Sequence, residues 1–208
     1  SAVLLVSAVP TPYADGCSTT GVTMDLPVGQ TQLVEPSTAP LFVTLGVGIQ
    51  NYTCNAATSK YTSTGAVATL LDLSCVAHTP AFSNVQTVAY IAWAAAPSGV
   101  SLDSIIPDVC ASAILGYHYF VPAASGTGIT PKWDFSASNR GFVLGAKVGD
   151  IPAPAPARDV DWLALNNAGG DLAQQIFRTD TVSGQPSTSC IAGSADISVK
   201  YTAKYLLY

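Results

Sequence analysis

The sequence predicts an all-β fold, either an antiparallel β-sandwich or a barrel, with one or two short helices. Short segments rich in β-branched and aromatic residues recur along the chain, and glycine, proline, serine and asparagine separate them. Only 10% of the residues are charged, whereas surface helices need glutamate, lysine and arginine on their solvated faces. With 208 residues, 49% of them hydrophobic, the chain can bury the core of one domain, which we expect to span residues 1–208.

Strand signals recur from the start of the chain to its end. The predicted strands are residues 2–9, 32–34, 41–50, 85–93, 141–147, 162–166, 176–182 and 197–208. The last of them alternates polar and apolar residues, which predicts a long strand with one buried side. Its two faces carry Lys200, Thr202 and Lys204 against Val199, Tyr201, Ala203 and Tyr205.

Two stretches carry helical signals instead. Residues 64–73 follow a Ser/Thr start signal, and residues 102–114 have a similar start but contain Pro107, so both helices are expected to be short. Residues 151–157 alternate proline with apolar residues and should form a stiff, extended segment. Because its flanks do not differ in composition, we interpret it as a loop across one domain and not as a linker between two.

Charge and hydropathy exclude two classes of partner. The net charge is −5, the pI is near 4.6 and the basic residues form no cluster, so nucleic acid is not a predicted partner. No apolar run reaches the roughly 20 residues of a membrane-spanning helix. The chain starts at Ser1 and enters a predicted strand at once, as expected after removal of a targeting peptide. We therefore expect a secreted, extracellular protein without a membrane span.

The cysteines support the same compartment. They lie far apart, at Cys17, Cys54, Cys75, Cys110 and Cys190. Because none forms a C-x-x-C pair and only Cys75 has a nearby histidine, at His78, no metal site is predicted. In an oxidising compartment they predict two disulfides and one remaining thiol, or a thiol paired outside the chain. We expect Cys54 to pair with Cys75, which would stabilise the fold by about 3 kcal/mol on the chain-entropy model.

One N-glycosylation sequon, Asn51-Tyr52-Thr53, ends immediately before Cys54 in a stretch that we interpret as polar and rich in turns. We expect a glycan on Asn51 if the source is eukaryotic. The alternative is a chance match to a three-residue pattern.

Few residues are available for acid–base catalysis. Glu35 is the sole glutamate, and His78 and His118 are the only histidines. The sequence has no nucleophile elbow, no H-E-x-x-H motif, no phosphate loop and no dinucleotide fingerprint, so no cofactor is predicted and a non-enzyme is favoured. Catalytic groups can still assemble from distant positions. The candidates are His118, Asp134, Asp159 and Asp161.

An aromatic cluster surrounds His118 in the string Gly116-Tyr117-His118-Tyr119-Phe120, and Lys132-Trp133-Asp134-Phe135 follows after a loop. Aromatic rings stack on the apolar faces of sugars, and a histidine and an acid can bind their hydroxyl groups. This pattern predicts Tyr119, Trp133 and, farther along, Trp162 as ligand-binding residues. The interpretation that we favour for this segment is a plain strand with His118 hydrogen-bonded at the edge of the core, because a lone histidine is seldom catalytic.

Two aspartates follow the proline run in the string Arg158-Asp159-Val160-Asp161-Trp162. In an extended segment Asp159 and Asp161 share a face, where they could hold a cation or divide the roles of acid and base. We favour a structural interpretation, in which they cap a turn and pair with Arg158.

Several strings together resemble a known family. They are Gly46 to Cys54, Gly116 to Phe120, Val160 to Leu165, Phe177 to Thr181 and Val199 to Tyr205. In their order and spacing they resemble a family of small secreted proteins, common in fungi and also found in bacteria, catalogued as domain of unknown function 3455. The resemblance implies an exported, β-rich domain and brings no established activity. Some relatives carry a malate dehydrogenase label, which the absence of a dinucleotide fingerprint contradicts.

The leading functional hypothesis is a non-catalytic extracellular protein that binds carbohydrate, the cell wall or another surface component. One alternative is a glycan-active hydrolase or lyase that uses His118 with Asp134, or the pair Asp159 and Asp161. Another is a structural or effector-like secreted protein without a small ligand. The convergence of these side chains on one cleft would favour the enzyme.

Overall fold

The computed structural model describes residues 17–97, 99–100 and 113–208. Eight antiparallel strands form a closed barrel in which each strand pairs with its neighbours in sequence. The strands are β1 (Phe42–Asn55), β2 (Lys60–Asp72), β3 (Ile114–Pro122), β4 (Ile129–Asp134), β5 (Phe142–Ile151), β6 (Trp162–Gly170), β7 (Gln175–Ser183) and β8 (Ile197–Leu207). β8 closes the barrel against β1, with Leu207 opposite Phe42. The all-β prediction is confirmed, in its barrel form.

One hydrophobic cluster fills the inside of the barrel. Every strand contributes to it, as expected for a barrel of this size, whose interior is just wide enough for side chains. Its largest fully buried members are Tyr201, Tyr205, Phe135, Leu70 and Ile176. The barrel interior is therefore occupied largely by aromatic and aliphatic side chains of the protein itself.

A second hydrophobic cluster lies on the outer surface of the barrel. The helix α1 (Val85–Ala95) packs across β8, β1 and β7, and the indole Nε1 of Trp93 donates a hydrogen bond of 2.8 Å to the Gly48 carbonyl oxygen. The outer side chains of β8 are consequently covered too. The prediction that β8 has only one buried side is wrong, since residues 201–208 are all buried. None of the helices in the described ranges is long and apolar enough to cross a bilayer.

Two predicted elements have the opposite secondary structure. Residues 85–93 were expected to form a strand but lie in α1, because Val85, Ala89 and Trp93 recur every fourth residue and face the outer cluster. Residues 64–73 were expected to form a helix, but all except Leu73 lie in β2. There Ala66, Ala68 and Leu70 alternate into the barrel, which is the period of a strand.

The remaining predictions fall into three groups. Strands at 41–50, 141–147, 162–166, 176–182 and 197–208 match β1 and β5 to β8. Residues 32–34 form no strand, and β4 was not predicted, whereas β3 contains the plain strand that we favoured around His118. The predicted strand 2–9 and nearly all of the predicted helix 102–114 lie outside the described residues. The proline run leads from β5 towards β6 as a loop, and its Ala153 is buried in the outer cluster.

The disulfide pairing differs from the prediction. Cys17 is bonded to Cys75, and Cys54 to Cys190. Cys54 lies near the end of β1, opposite Tyr61 at the start of β2, whereas Cys75 follows the far end of β2. Cys54 and Cys75 are therefore at opposite ends of one hairpin, too far apart to bond. The first disulfide fastens the N-terminal segment to the barrel, and the second joins β1 to the segment before β8.

Candidate functional site

The hairpin of β3 and β4 sorts the predicted site residues onto two faces of the barrel wall. Tyr117 pairs with Asp134, His118 with Trp133 and Tyr119 with Lys132. Because side chains alternate along a strand, His118 and Trp133 face the barrel interior while the other four face outwards.

His118 is a buried interior residue. Its ring stacks on Trp133 with the ring centroids 4.5 Å apart, and Nδ1 lies 2.9 Å from the Lys132 carbonyl oxygen. Since a carbonyl oxygen only accepts, Nδ1 carries the proton and Nε2 is the unprotonated nitrogen. Burial lowers the pKa of His118 to about 4, so the ring is neutral near pH 7.

Neither predicted tryptophan is available to a ligand. Trp133 is 2% exposed inside the barrel, and Trp162 is 4% exposed in the outer cluster. Both were expected to present their rings to sugars, and that expectation is wrong because each ring fills a hydrophobic core. Of the predicted ligand-binding residues, Tyr119 alone lies on an accessible face.

On the outer face, Asp134 joins Tyr119 and Lys132 in one polar cluster. The Tyr119 hydroxyl donates to Oδ2 of Asp134 at 2.7 Å, and Nζ of Lys132 lies 2.7 Å from the same oxygen. Partial burial acts to raise the pKa of the Asp134 carboxyl. The hydrogen bonds from Lys132, Ser136 and Tyr119 outweigh this and hold that pKa well below its usual range. The carboxylate is therefore charged and fixed in one orientation.

An open, mainly apolar depression of about 360 Å³ lies beside this cluster. We call it the tyrosine face, and its lining residues are Val67, Tyr117, Tyr119, Asp134, Ser136 and Ala137. Tyr117 is 39% exposed, and two residues along β3 the Tyr119 ring points the same way. The sequence analysis did not select Tyr117 or Lys132. The available signal was their spacing of two residues from Tyr119 and Asp134, which places each pair on one face of its strand.

The structure does not unite Asp159 with Asp161. Asp159 is buried, receives two hydrogen bonds of 2.7 and 2.9 Å from Arg158, and accepts a third from the backbone N–H of Ser183. The predicted pairing with Arg158 is confirmed. Asp161 instead lies near Asp150, and burial, followed by that neighbouring carboxylate, raises the pKa of Asp161. The two aspartates therefore have separate partners.

Asn51 lies within β1 and not in a turn, because it pairs with Ser198 of β8 in the barrel wall. Its Oδ1 accepts a hydrogen bond of 2.7 Å from the Ser198 hydroxyl. Glycosylation at the Asn51 amide nitrogen stays a prediction.

No group of three or more metal-ligating side chains converges within residues 17–97, 99–100 and 113–208. The antiparallel barrel also differs from the parallel sheet of dinucleotide-binding folds.

Comparison of the chain with curated proteins and with solved structures gives no match. A family model described as "Protein of unknown function (DUF3455)" matches residues 36–208, a range that includes every strand of the barrel. The chain therefore belongs to the DUF3455 family.

Proposed function

We propose that the protein is extracellular and binds carbohydrate on the tyrosine face. The observation that carries the proposal is the pair of tyrosine rings, Tyr117 and Tyr119, on one outer face of β3 beside the fixed carboxylate of Asp134. Tyrosine rings offer apolar surface for the C–H faces of a sugar, and a charged carboxylate accepts strong hydrogen bonds from its hydroxyl groups.

Two features support the extracellular location. The disulfides Cys17–Cys75 and Cys54–Cys190 form and persist in oxidising compartments and are rare in the cytosol. Each closes a long loop, across 58 and 136 residues, as in secreted proteins that rely on covalent cross-links. An open site on an exported protein suits a polymer, such as a polysaccharide of the cell wall, better than a small enclosed ligand.

The geometry lends less support to a glycan-active hydrolase or lyase. His118 faces the barrel interior and Asp134 faces outwards, so one substrate cannot contact both. Asp159 is held by Arg158 and Ser183, away from the partners of Asp161. A structural or effector-like role without a small ligand remains the alternative that the experiment below distinguishes.

The test is co-sedimentation of the protein with insoluble chitin, β-glucan and cellulose, with an assay for sugars released into the supernatant. We expect retention on at least one polymer without release. Tyr117→Ala removes one aromatic ring of the tyrosine face and should weaken retention at least tenfold. Tyr119→Phe keeps its ring but loses the hydroxyl that holds Asp134, and should weaken retention less. Ile91→Ala, at an exposed position of α1, is the matched control and should bind normally.

Retention that survives Tyr117→Ala would contradict the proposed site. Release of sugar into the supernatant would favour the enzyme instead. Neither retention nor release on any polymer would remove both carbohydrate proposals and leave the structural or effector-like role.

A further inference from the structure

A second cavity lies on another side of the barrel, against the outer surface of β7 and β8. It has a volume of about 260 Å³. Its floor is formed by Thr179, Asp180, Lys204 and Leu206, and its rim by residues 23–25 and by the turn around Phe82. We call it the Lys204 pocket. It shares no residue with the tyrosine face.

Lys204 is the unusual residue of this pocket. Its side chain is only 5% exposed, and its ammonium group forms an ion pair with Asp180. The nearest carboxylate oxygen, Oδ2 of Asp180, is 3.3 Å away, and the ammonium group lies 4.1 Å from the centre of the Phe82 ring. An ammonium group has three donors, so one carboxylate oxygen does not satisfy all of them.

Lys200, on the same face of β8, shows how the barrel satisfies a covered lysine. Its Nζ donates to the carbonyl oxygens of Trp93 and Ala96 at 2.8 and 2.7 Å, at the end of α1. Two residues farther along β8, the Thr202 hydroxyl donates to the Gln86 carbonyl oxygen at 2.8 Å. The helix thus supplies acceptors to Lys200 and Thr202, whereas Lys204 faces the Asp180 carboxylate and the cavity beside it.

Asp180 reaches the pocket through a local distortion of β7. The register between β7 and β8 shifts between Thr179 and Val182, and Asp180 has a left-handed backbone with φ of 50°. A residue other than glycine seldom adopts this conformation outside turns and functional sites. The distortion places the Asp180 carboxylate beside the Lys204 ammonium group, where both line the cavity.

The charges decide which ligand class fits. Lys204 and Asp180 cancel, and the exposed Asp25 on the rim adds a negative charge, so an anionic ligand would be repelled. A neutral molecule with adjacent hydroxyl groups fits both ions, because one hydroxyl oxygen accepts from the ammonium group while a second hydroxyl donates to the carboxylate. The volume is slightly below the roughly 300–1,000 Å³ of typical small-molecule sites, so the ligand is small.

We propose that the Lys204 pocket binds a small neutral polyhydroxyl molecule, of the size of a single sugar ring or smaller, between Lys204 and Asp180. The carbon skeleton of the ligand would pack on the side chain of Leu206 and on the Phe82 ring. This site is independent of the tyrosine face and stands whether or not the proposed binding of polymers is correct.

The experiment is NMR of the protein with ¹⁵N-labelled lysine, in which each ammonium group is followed directly. The probes are glycerol, glucose, mannose and N-acetylglucosamine, with acetate as the anionic comparison. We expect at least one neutral probe to shift the Lys204 signal saturably, and acetate to leave it unchanged. The signal of Lys60, which is exposed at the start of β2, is the internal control.

Lys204→Met keeps the length of the side chain and should weaken binding at least tenfold, measured by calorimetry with the same probe. Asp180→Asn should weaken it as well, and it provides the test if Lys204→Met does not fold, because asparagine tolerates the left-handed backbone. Tyr117→Ala should leave binding at this pocket unchanged. No saturable shift with any neutral probe, a shift with acetate alone, or unchanged binding in the folded variants would overturn the proposal.

Discussion

The side chains of His118 and Asp134 lie on opposite faces of the barrel wall, although they are one register step apart on paired strands. In a sheet, a shift of one residue moves a side chain to the other face. The histidine consequently contributes to the core and the aspartate to the surface. Nearness along the two strands does not make them a catalytic pair.

The neutral state of His118 should make the protein less stable in acid. Its pKa is about 4 in the folded protein, against 6.5 in an unfolded chain, so the unfolded state binds more protons between these values. Stability should fall by about 3 kcal/mol as the pH drops from 6.5 to 4. Urea unfolding at pH 7 and pH 4 measures this loss.

The control for this pH dependence is His118→Asn, whose amide can donate to the Lys132 carbonyl oxygen as Nδ1 does. The variant should be less stable at pH 7, because it leaves a cavity, but it should lose less stability in acid. An equal pH dependence in both proteins would show that other groups cause it.

The disulfide Cys54–Cys190, which closes the longer loop, should contribute more to stability than Cys17–Cys75. On the chain-entropy model, loops of 136 and 58 residues correspond to about 5 and about 4 kcal/mol. Replacing Cys54 and Cys190 together by alanine should therefore lower the urea midpoint more than replacing Cys17 and Cys75. Peptide mapping without reduction should recover both pairs, and a linked Cys54–Cys75 peptide would contradict the structure.

The hydrophobic pattern predicted most of the barrel but could not assign residues 85–93. An apolar run of this length is compatible with a strand or a helix, and only the outer surface of β8 and β1 selects the helix, by packing on Val85 and Trp93. The sequence pattern was likewise insufficient to predict the tyrosine face. Alternation alone places Tyr117 and Tyr119 on one face, but whether that face points inwards depends on the register with β4.

The bonds of Lys200 should anchor α1 to the barrel. Lys200→Met removes two charge-assisted hydrogen bonds to the carbonyl oxygens of Trp93 and Ala96, and should cost about 2 kcal/mol of unfolding free energy. The matched control is Lys60→Met, at an exposed position, which should change stability by less than about 0.5 kcal/mol. Equal losses in both variants would mean that the general removal of charge, and not these bonds, sets the effect.

The stability of the protein at pH 7 should respond differently to the substitution of Asp159 and of Asp161 by asparagine. Asp159→Asn weakens a buried group that binds Arg158 and the Ser183 N–H, so we expect a loss of about 1–3 kcal/mol. For Asp161, burial and then Asp150 raise the folded-state pKa, so its stabilising contribution is present at low pH and is lost as the pH rises through that pKa. At pH 7 the charged form is disfavoured in the fold, and Asp161→Asn should leave stability unchanged or raise it. Urea unfolding at pH 7 compares the two variants, and a similar loss in both would refute the separation of their roles.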